Sequence, residues 1–355
     1  MKLIITYAQA LSLVAVALAA PQTFQQAAGG TVPFPPQSQQ PKALSFEQAV
    51  GLVSPAGGNI ISSSQTPAQT NGGISTSAGC RRNIFRKWGT LSATEKGNFV
   101  GAIRCLTQRP PRGVWSGARS RYDELVWVHA QMTPRVHGLD LFLPWHRYYL
   151  FAFRTLLSQE CGYNGAIPWW RETNNAGNIA ASDIFSPQYF GSLPPATGGG
   201  GQCLNDGAFA GLTSRINNQC VSRGEVKSES NQVSVQNENL CQQASSFPQH
   251  RACVESTNHA RMHRGIGPTM ANAAMSPSDP VFFLHHSYVD WQWKRWQNAA
   301  SSRWTTISGC ADFNSPCTPL RRKTVLTSLG LIKNMRLGKF LDTEGNRLCY
   351  TYDEF

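Results

Sequence analysis

Two stretches of the C-terminal third decide the fold: His259-Ala-Arg-Met-His263 and Asp279-Pro-Val-Phe-Phe-Leu-His285-His286-Ser-Tyr-Val-Asp290. Side chains four residues apart lie on one face of a helix, so the imidazoles of His259 and His263 can converge on a single cation. His286, or its neighbour His285, can supply a third imidazole from a second apolar helix that packs against the first. These stretches therefore predict a pair of metal-binding helices.

The upstream half of the chain carries a second set of three histidines, His129, His137 and His146. His129 ends a helix predicted from about residue 121 to about residue 131. His146 follows Pro144 at the start of a helix that is apolar nearly all round and is therefore expected to be buried. Six of the eight histidines of the chain thus fall into two triplets.

Imidazole triplets are typical of copper, zinc, nickel or iron sites. The chain has no Cys-x-x-Cys pair for a thiolate-bound structural zinc, and neither triplet includes the carboxylate of a non-haem iron site. Two all-histidine sites in one core are most economically explained by a pair of coppers. Two separate zinc sites, and core histidines without a metal, are alternatives that the spacing leaves open.

Capping and apolar spacing predict further elements. Ser92 and Glu95 form a capping pattern ahead of an apolar helix face that begins at Phe99. Tyr350-Thr-Tyr352 alternates in the manner of a strand. The predicted fold class is mainly α, with long loops and a few short strands.

The N-terminal segment has the features of an exported protein. Residues 1–19 are predicted to be a signal peptide, with Lys2, an apolar run and the small-residue cleavage site Ala17-Leu18-Ala19. Residues 20–79 are rich in Gln, Pro, Gly and Ser and are predicted to be a low-complexity linker or propeptide, which leaves 80–355 as the folded domain. The protein is therefore expected to be secreted, and no other apolar run is long enough for a membrane span.

Cysteine usage agrees with export, because ten cysteines in an oxidising compartment predict up to five disulfides. The tract from 191 to 251 is rich in Gly, Ser, Asn and Gln and is predicted to be an irregular excursion within one domain. Four cysteines are expected to staple this tract: Cys203, Cys220, Cys241 and Cys253.

The net charge of +12 is spread along the chain rather than clustered. The basic runs Arg81-Arg82 and Arg321-Arg322-Lys323 lie beside no nucleic-acid-binding motif, so no nucleic-acid partner is expected. With 355 residues, 41% of them apolar, and ten tryptophans, the chain is of the soluble globular class and can bury a sizeable core.

From about Cys80 to Tyr352 the chain resembles the tyrosinase and catechol oxidase family of type-3 copper proteins, which also includes haemocyanins. In its compactness it is similar to the short secreted fungal members. The matching stretches are His137-Gly with Phe142-Leu-Pro-Trp-His146-Arg, Cys203-Leu-Asn-Asp206-Gly-Ala-Phe, His259-x-x-x-His263, Ser276-Pro-x-Asp279-Pro-x-Phe-x-x-His-His286-x-x-x-Asp290 and Tyr350-x-Tyr352.

The resemblance implies a four-helix-bundle core carrying a dinuclear copper site, with two copper ions as the cofactor and a histidine ligand at every position of the two triplets. Copper A would be held by His129, His137 and His146, and copper B by His259, His263 and His286. His285 is then expected beside the metal site or in the core, and His250 at the surface. In this family dioxygen is the oxidant, an o-diphenol leaves as an o-quinone, and a monophenol is first hydroxylated at the ortho position.

Three further positions are expected to assist the copper site. Phe142, by the family pattern, would stack on a copper B imidazole. Asp290 lies one turn past His286 and is positioned to accept its free N–H. Glu255, four residues before His259, matches a glutamate that holds a water able to deprotonate a phenol, and is the candidate general base. An ordinary acid at a helix start is the alternative for Glu255.

The chain departs from the family pattern at several positions. Ala260 replaces an Asn found in many monophenol-active members, which favours catechol oxidation over tyrosine hydroxylation. Arg264 is expected in the pocket, where it would pair with a carboxylate on the substrate, or else to be a solvated helix arginine. Arg135 replaces a cysteine, so no thioether to His137 is expected, and Arg171 replaces the usual Asp after tryptophan.

The predicted function is a secreted dicopper oxidase that converts o-diphenols to o-quinones with dioxygen, with monophenols left open as substrates. The partners are thus a small phenolic molecule and dioxygen, and the sequence predicts no oligomeric state. The alternatives are a tyrosinase-like o-aminophenol or polyphenol oxidase of natural-product biosynthesis and a haemocyanin-like oxygen carrier. Steady quinone formation would separate an oxidase from a carrier.

Overall fold

The computed structural model describes residues 83–198 and 200–355, so the predicted signal peptide and low-complexity segment lie outside the described residues. Four long or central helices form the core: α1 (Ala93–Gln108), α2 (Arg121–Val136), α3 (Phe142–Cys161) and, much later in the chain, Phe282–Asn298. Between α3 and that last helix come α4 (Lys227–Ser230), α5 (Val235–Gln242), α6 (Phe247–Val254), α7 (Ala260–Ile266) and α8 (Pro268–Ala271), so Phe282–Asn298 is α9. The mainly helical class predicted from the sequence is confirmed.

The helix starts follow their capping chemistry. Ser92 accepts a hydrogen bond from the backbone N–H of Glu95, whose side chain accepts one from the N–H of Ser92, as predicted for α1. Ser120 and Asp123 cap α2 in the same way. These reciprocal bonds satisfy donors that a helix N-terminus otherwise leaves free.

Helix α2 extends to Val136, five residues beyond its predicted end near residue 131. His129 therefore lies inside this helix rather than at its end. Pro134 near the C-terminus does not stop the helix, because the His137 N–H still bonds to the Thr133 carbonyl.

The core lies where α3 packs against α9. Every residue of α3 from Phe142 to Leu157 is buried, as its all-round apolar sequence predicts. Phe153 of α3 stacks on Phe283 of α9 with ring centroids 3.6 Å apart and planes within 9°. This contact fixes the distance between the two helices that carry histidines at their N-terminal turns.

The strands are short and paired two by two. Strand β1 (Asn83–Phe85) runs parallel to β6 (Tyr350–Tyr352), which confirms the predicted C-terminal strand. Strands β2 (Gln202–Cys203) and β3 (Ser222–Arg223) are antiparallel, as are β4 (Val325–Leu326) and β5 (Met335–Arg336).

Disulfides brace the loops between these elements. Cys203–Cys220 and Cys241–Cys253 close the tract from 191 to 251, as predicted. Cys105–Cys161 joins α1 to α3, Cys310–Cys317 closes a short loop, and Cys349 is also disulfide-bonded. Within residues 83–198 and 200–355, none of the helices combines the length and the apolar character that crossing a membrane requires.

Candidate metal centre

Seven buried or half-buried histidines form two groups in the core. Within each group the candidate ligand atoms lie within 4.8 Å of one another. The first group is His129, His137 and His146, and the second is His259, His263, His285 and His286. The structure thus brings together all six histidines expected as ligands and places His285 in the second group.

Helix starts and ends position these rings. In the first group, His129 lies inside α2, His137 directly follows the last residue of α2, and His146 lies in the first turns of α3. In the second group, His259 closes a π-helical turn over Glu255–His259, and His263 follows one turn later in α7. The tandem pair lies in the first turn of α9.

Four rings have their Nδ1 atom at hydrogen-bond distance from a backbone carbonyl oxygen. These pairs are His137–Thr133 at 3.1 Å, His146–Phe142 at 2.8 Å, His259–Glu255 at 2.9 Å and His263–Met270 at 2.7 Å. A carbonyl only accepts, so Nδ1 carries the proton and Nε2 keeps its lone pair. That tautomer presents Nε2 as a metal ligand.

Within each group, the Nε2 atoms of facing histidines lie close together. The Nε2 atoms of His129 and His146 are 3.3 Å apart, and those of His263 and His286 are 3.4 Å apart. Nε2 of His259 has no hydrogen-bond partner among the described residues. Buried lone pairs directed at a common point are costly unless a cation lies there, so these residues fit a metal-imidazole site.

Burial keeps these rings neutral. Removal from water lowers the pKa of His137 and of His263 to about 4, and the pKa of the other five histidines well below the usual value. Neighbouring histidines lower several of these values further. At neutral pH every ring is therefore in the form that binds a metal.

Aromatic rings hold the two groups in place. Phe142, expected to stack on an imidazole of the second group, instead meets His259 edge to face, with centroids 4.8 Å apart and planes at 72°. The phenylalanine that stacks on an imidazole of the second group is Phe282, whose ring centroid is 4.0 Å from that of His286. Phe282 begins α9 four residues before His286, so helical spacing places it over that ring.

Asp290 does not contact the free nitrogen of His286, contrary to the expectation from sequence. Its carboxylate binds Arg147 Nε at 2.5 Å and the hydroxyls of Tyr350 and Tyr352 at 2.5 and 2.7 Å. Nδ1 of His286 has no partner among the described residues. A buried arginine and two tyrosines saturate the carboxylate, which explains why the closing Tyr-x-Tyr strand and α9 are held together.

A second buried carboxylate serves His285 instead. Nδ1 of His285 bonds to Oε1 of Glu172, and both side chains are fully buried. Burial raises the pKa of Glu172 well above its usual value. Glu172 was not predicted as a site residue, although it directly follows Trp169-Trp170-Arg171, where the chain departs from the family pattern.

The structure also accounts for Arg171. Its guanidinium pairs with the buried carboxylate of Glu238 at 3.0 Å and with Glu354 at 3.1 Å. It also lies over the Trp291 ring, 5.1 Å from the centroid. An arginine at this position is thus neutralised by two acids of this chain.

Glu255, the candidate base, lies between the two groups of histidines. Its Oε1 accepts the backbone N–H of Gly138 at 2.7 Å, one residue after His137, and its Oε2 pairs with Arg251 at 3.0 Å. Burial raises the pKa of Glu255, and the Gly138 N–H and Arg251 oppose that effect. Glu255 thus contacts both groups: its carboxylate bonds to the residue that follows His137, and its backbone carbonyl bonds to Nδ1 of His259.

Ala260 and Arg264 lie on α7 next to the second group. Ala260 directly follows His259 and offers no side-chain hydrogen bond. Arg264 is 38% exposed and its Nε binds Glu229 at 3.0 Å, in company with Arg261. A substrate carboxylate would have to compete with Glu229 for this guanidinium.

His250 was expected at the surface, and that expectation is wrong. The ring is fully buried, stacks on Trp296 with centroids 4.9 Å apart, and bonds through Nδ1 to the Cys241 carbonyl at 2.9 Å. It lies in α6, whose Cys253 is tied to Cys241 of α5 by a disulfide. Helix packing around that disulfide, invisible in the local sequence, removes His250 from solvent.

Comparisons with known proteins agree with this centre. The common central domain of tyrosinase matches residues 119–299. Tyrosinase ustQ of Aspergillus flavus is 31% identical over 286 residues, covering 76% of this chain and 79% of that protein. N-acetyl-6-hydroxytryptophan oxidase ivoB of Emericella nidulans is 27% identical over 340 residues, covering 76% of this chain and 92% of that protein.

A solved structure shares the fold. A variant of polyphenol oxidase from Thermothelomyces thermophila superposes with a TM-score of 0.67 at 24% identity, covering 77% of this chain and 89% of that one. The matched domain contains every histidine of both groups and the helices that carry them. The chain therefore belongs to the tyrosinase family, as an oxidoreductase of the tyrosinase type with a type-3 dinuclear copper centre.

Proposed function

We propose that this protein is a secreted oxidase that converts o-diphenols to o-quinones with dioxygen as the electron acceptor. The observation that carries the proposal is the clustering of buried imidazoles into two groups in one core, with facing Nε2 atoms 3.3 Å apart in the first group and 3.4 Å apart in the second. When bound there, two coppers supply dioxygen binding and two-electron redox chemistry. Two o-diphenols together give up four electrons and four protons, which reduce one dioxygen to two waters.

We assign copper A to His129, His137 and His146, and copper B to His259, His263 and His286. For the tandem pair, the family pattern supports His286, and Glu172 fixes the tautomer of His285 by bonding to its Nδ1. The His286 ring lies between the two groups, stacked on His146 of the first, whereas His285 stacks on His259 of its own group. His285 and Glu172 then act together as a buried support behind copper B.

The substrate reaches this centre from one side. His129 and His286 are almost completely buried, whereas His259, Ala260 and His263 keep 6, 8 and 9% of their surface exposed. His137 is more exposed than any other member of the two groups, and Gly138 beside it is exposed. Solvent therefore meets the histidines along α7 and at the end of α2, and a phenol approaches there.

Glu255 is proposed as the general base that receives the phenol proton. It lies beside this approach, held by the Gly138 N–H, and burial raises its pKa. A raised pKa brings a carboxylate closer to the pH at which it can both accept and release a proton. Arg251 orients it through the second oxygen.

The absence of a hydrogen-bonding side chain at position 260 supports a preference for o-diphenols. A monophenol must lose a single, weakly acidic proton before it can be hydroxylated, and a water held by Glu255 alone is less well oriented for that step. Ala260 offers no second bond to such a water. We therefore propose that diphenol oxidation is faster than monophenol hydroxylation.

A more specialised substrate is the second candidate. One relative is named an N-acetyl-6-hydroxytryptophan oxidase, and a hydroxyindole of that kind is larger than a simple catechol. This favours a substituted phenol or o-aminophenol from natural-product biosynthesis as the physiological substrate. The reaction class at the coppers would be the same.

Export is proposed from the N-terminal sequence, with residues 1–19 as signal peptide, 20–79 as linker or propeptide and 80–355 as the catalytic domain. Four disulfides among the described residues support it, because such bonds persist in oxidising compartments. The N-terminal residue of protein recovered from culture medium tests this proposal, and protein retained in cells with Met1 in place would contradict it.

The oxidase proposal is tested on purified protein by copper quantification and steady-state oxidation of catechol, phenol and o-aminophenol. About two coppers per chain and sustained quinone formation are expected, faster from catechol than from phenol. Reversible dioxygen binding without turnover of any phenol would contradict the proposal.

A further inference from the structure

Phe313 has no evident role in the fold. At 69% exposure it is the most exposed large apolar side chain among the described residues. It lies in the loop closed by Cys310–Cys317, and Asn314, Ser315 and Pro316 beside it are exposed as well. An aromatic ring left in water forgoes the stabilisation that burial would give, so what surrounds it is informative.

The loop that carries Phe313 is held by a disulfide and by several hydrogen bonds. Asp312 accepts the backbone N–H groups of Asn314 and Thr318 at 3.1 and 3.0 Å, within a loop already closed by its disulfide. At its base, the Cys310 N–H donates to Asp140 Oδ2 at 2.7 Å, and the Cys310 carbonyl accepts the Asp140 N–H at 3.2 Å. Phe313 is therefore presented by a braced loop rather than a free one.

The hydrogen bonds between Cys310 and Asp140 hold the Phe313 ring beside the copper centre. Asp140 lies three residues after His137, and its Oδ1 pairs with Arg251, the residue that also holds Glu255. Two atoms of the Phe313 ring lie 3.5 and 3.8 Å from the position that a Cβ atom on Gly138 would occupy. Gly138 follows the more exposed copper A histidine and donates its N–H to Glu255. The ring thus stands at the side from which solvent meets the histidines.

We propose that Phe313 is a specificity-determining residue that packs against an aromatic or apolar substituent of the phenolic substrate, outside the copper centre. This inference rests on the proposed phenol oxidation and names its substrate class: phenols whose ring carries a bulky apolar group away from the hydroxyls. The hydroxyls go to the metals, and the substituent lies against the exposed face of the Phe313 ring, beside Gly138.

The chemistry of the surroundings supports this ligand. Gly138 has no side chain, so nothing extends from that position across the Phe313 ring. A rigid ring on a braced loop loses little entropy when a second ring stacks on it. Stacking together with burial of part of both rings corresponds to an effect of about tenfold on binding.

The test compares substrates with and without the apolar group. The ratio of kcat/KM for 4-phenylcatechol to that for catechol is measured in the wild type, in Phe313→Ala and in Phe313→Trp. The expected result is a fall of about tenfold in the alanine variant, mainly through KM, and a ratio near that of the wild type in the tryptophan variant. Leu240→Ala, which removes a 59% exposed side chain from α5, is the matched control and should leave the ratio unchanged.

A binding measurement separates this inference from the proposed function. A resorcinol with a 4-phenyl group cannot be oxidised directly to an o-quinone, and without dioxygen it cannot be hydroxylated, so its Kd for the copper-loaded protein is measured by anaerobic calorimetry without turnover. Phe313→Ala should weaken it about tenfold and leave the Kd of unsubstituted resorcinol within about twofold. If no catechol is turned over but binding of the 4-phenyl resorcinol still depends on Phe313, the oxidase proposal is wrong and the role of Phe313 in binding stands. If catechols are oxidised and Phe313→Ala changes neither the ratio nor the Kd, the role of Phe313 is overturned.

Discussion

His146 and His286, one from each histidine group, stack with ring centroids 4.4 Å apart and planes at 14°. His146 belongs to α3 and His286 to α9, the two helices joined by the Phe153–Phe283 stack. The separation of the two metal positions is therefore set by helix packing as well as by the ligands. Substitutions in the tandem histidines and in the packing between these helices should have distinguishable effects.

Protein variants that lack one or the other of the tandem histidines should differ in copper content. His286→Ala is expected to lower the content by about one copper per chain, because it leaves only two of the proposed copper B ligands. His285→Ala should keep both coppers at saturation and weaken copper B by about 10–100-fold, the usual effect of losing a support behind a ligand. Elemental analysis after dialysis against graded chelator measures both. Loss of a copper from the His285 variant alone would reverse the assignment.

Substitution of Asp290 should change the stability of the fold rather than copper binding. Asp290→Asn removes the charge that faces the fully buried Arg147, and leaving a buried charge unpaired costs about 3–5 kcal/mol. Tyr352→Phe removes one hydrogen bond to the same carboxylate and should cost about 1 kcal/mol. Denaturant unfolding gives both free energies. A loss of copper from Asp290→Asn at unchanged stability would restore a direct role at His286.

Glu255→Gln tests the proposed base. The amide keeps an oxygen for the Gly138 N–H but cannot accept a proton, so kcat for catechol should fall about 100-fold with copper content unchanged. Glu229→Gln is the control, since Glu229 pairs with Arg261 and Arg264 and has no proposed role in proton transfer. Equal rates for wild type and Glu255→Gln would show that another group takes the proton.

Ala260→Asn tests the preference for diphenols. An amide at this position adds a hydrogen-bond partner for a water held by Glu255, and the ratio of phenol to catechol turnover should rise about tenfold. Ala260→Val adds similar volume without a polar group and is the control for steric effects. If both variants shift the ratio alike, pocket size rather than hydrogen bonding sets the preference.

His250 should make the folded state sensitive to acid. Burial lowers its pKa to about 4, whereas an exposed histidine titrates near ~6.5. Between these values the unfolded chain binds more protons, so stability is full above pH ~6.5 and is lost as pH falls toward ~4, by up to about 3 kcal/mol.

His250→Phe keeps a ring against Trp296 and cannot titrate. The difference in unfolding free energy between wild type and this variant should therefore shrink by up to about 3 kcal/mol on going from pH ~7 to pH ~4. Both proteins are compared with copper removed, so that the other buried histidines contribute equally. A constant difference across this range would show that His250 does not titrate on unfolding.

The sequence determined the chemistry of this protein because histidine spacing is a local property. The i, i+4 pair His259 and His263, the capped start of α1, the buried α3 and the strand at Tyr350–Tyr352 all follow from periods of a few residues. The same patterns pointed to the tyrosinase family and to all six proposed ligands.

Only the tertiary structure decided which distant groups meet. Asp290 binds Arg147 and two tyrosines from the last strand rather than its helical neighbour His286, and Glu172 holds His285 across 113 residues of sequence. His250 is buried by helices that a disulfide joins. Spacing along one helix says which side chains share a face, but the partners of a buried charge or ring are fixed by packing between segments far apart in the chain.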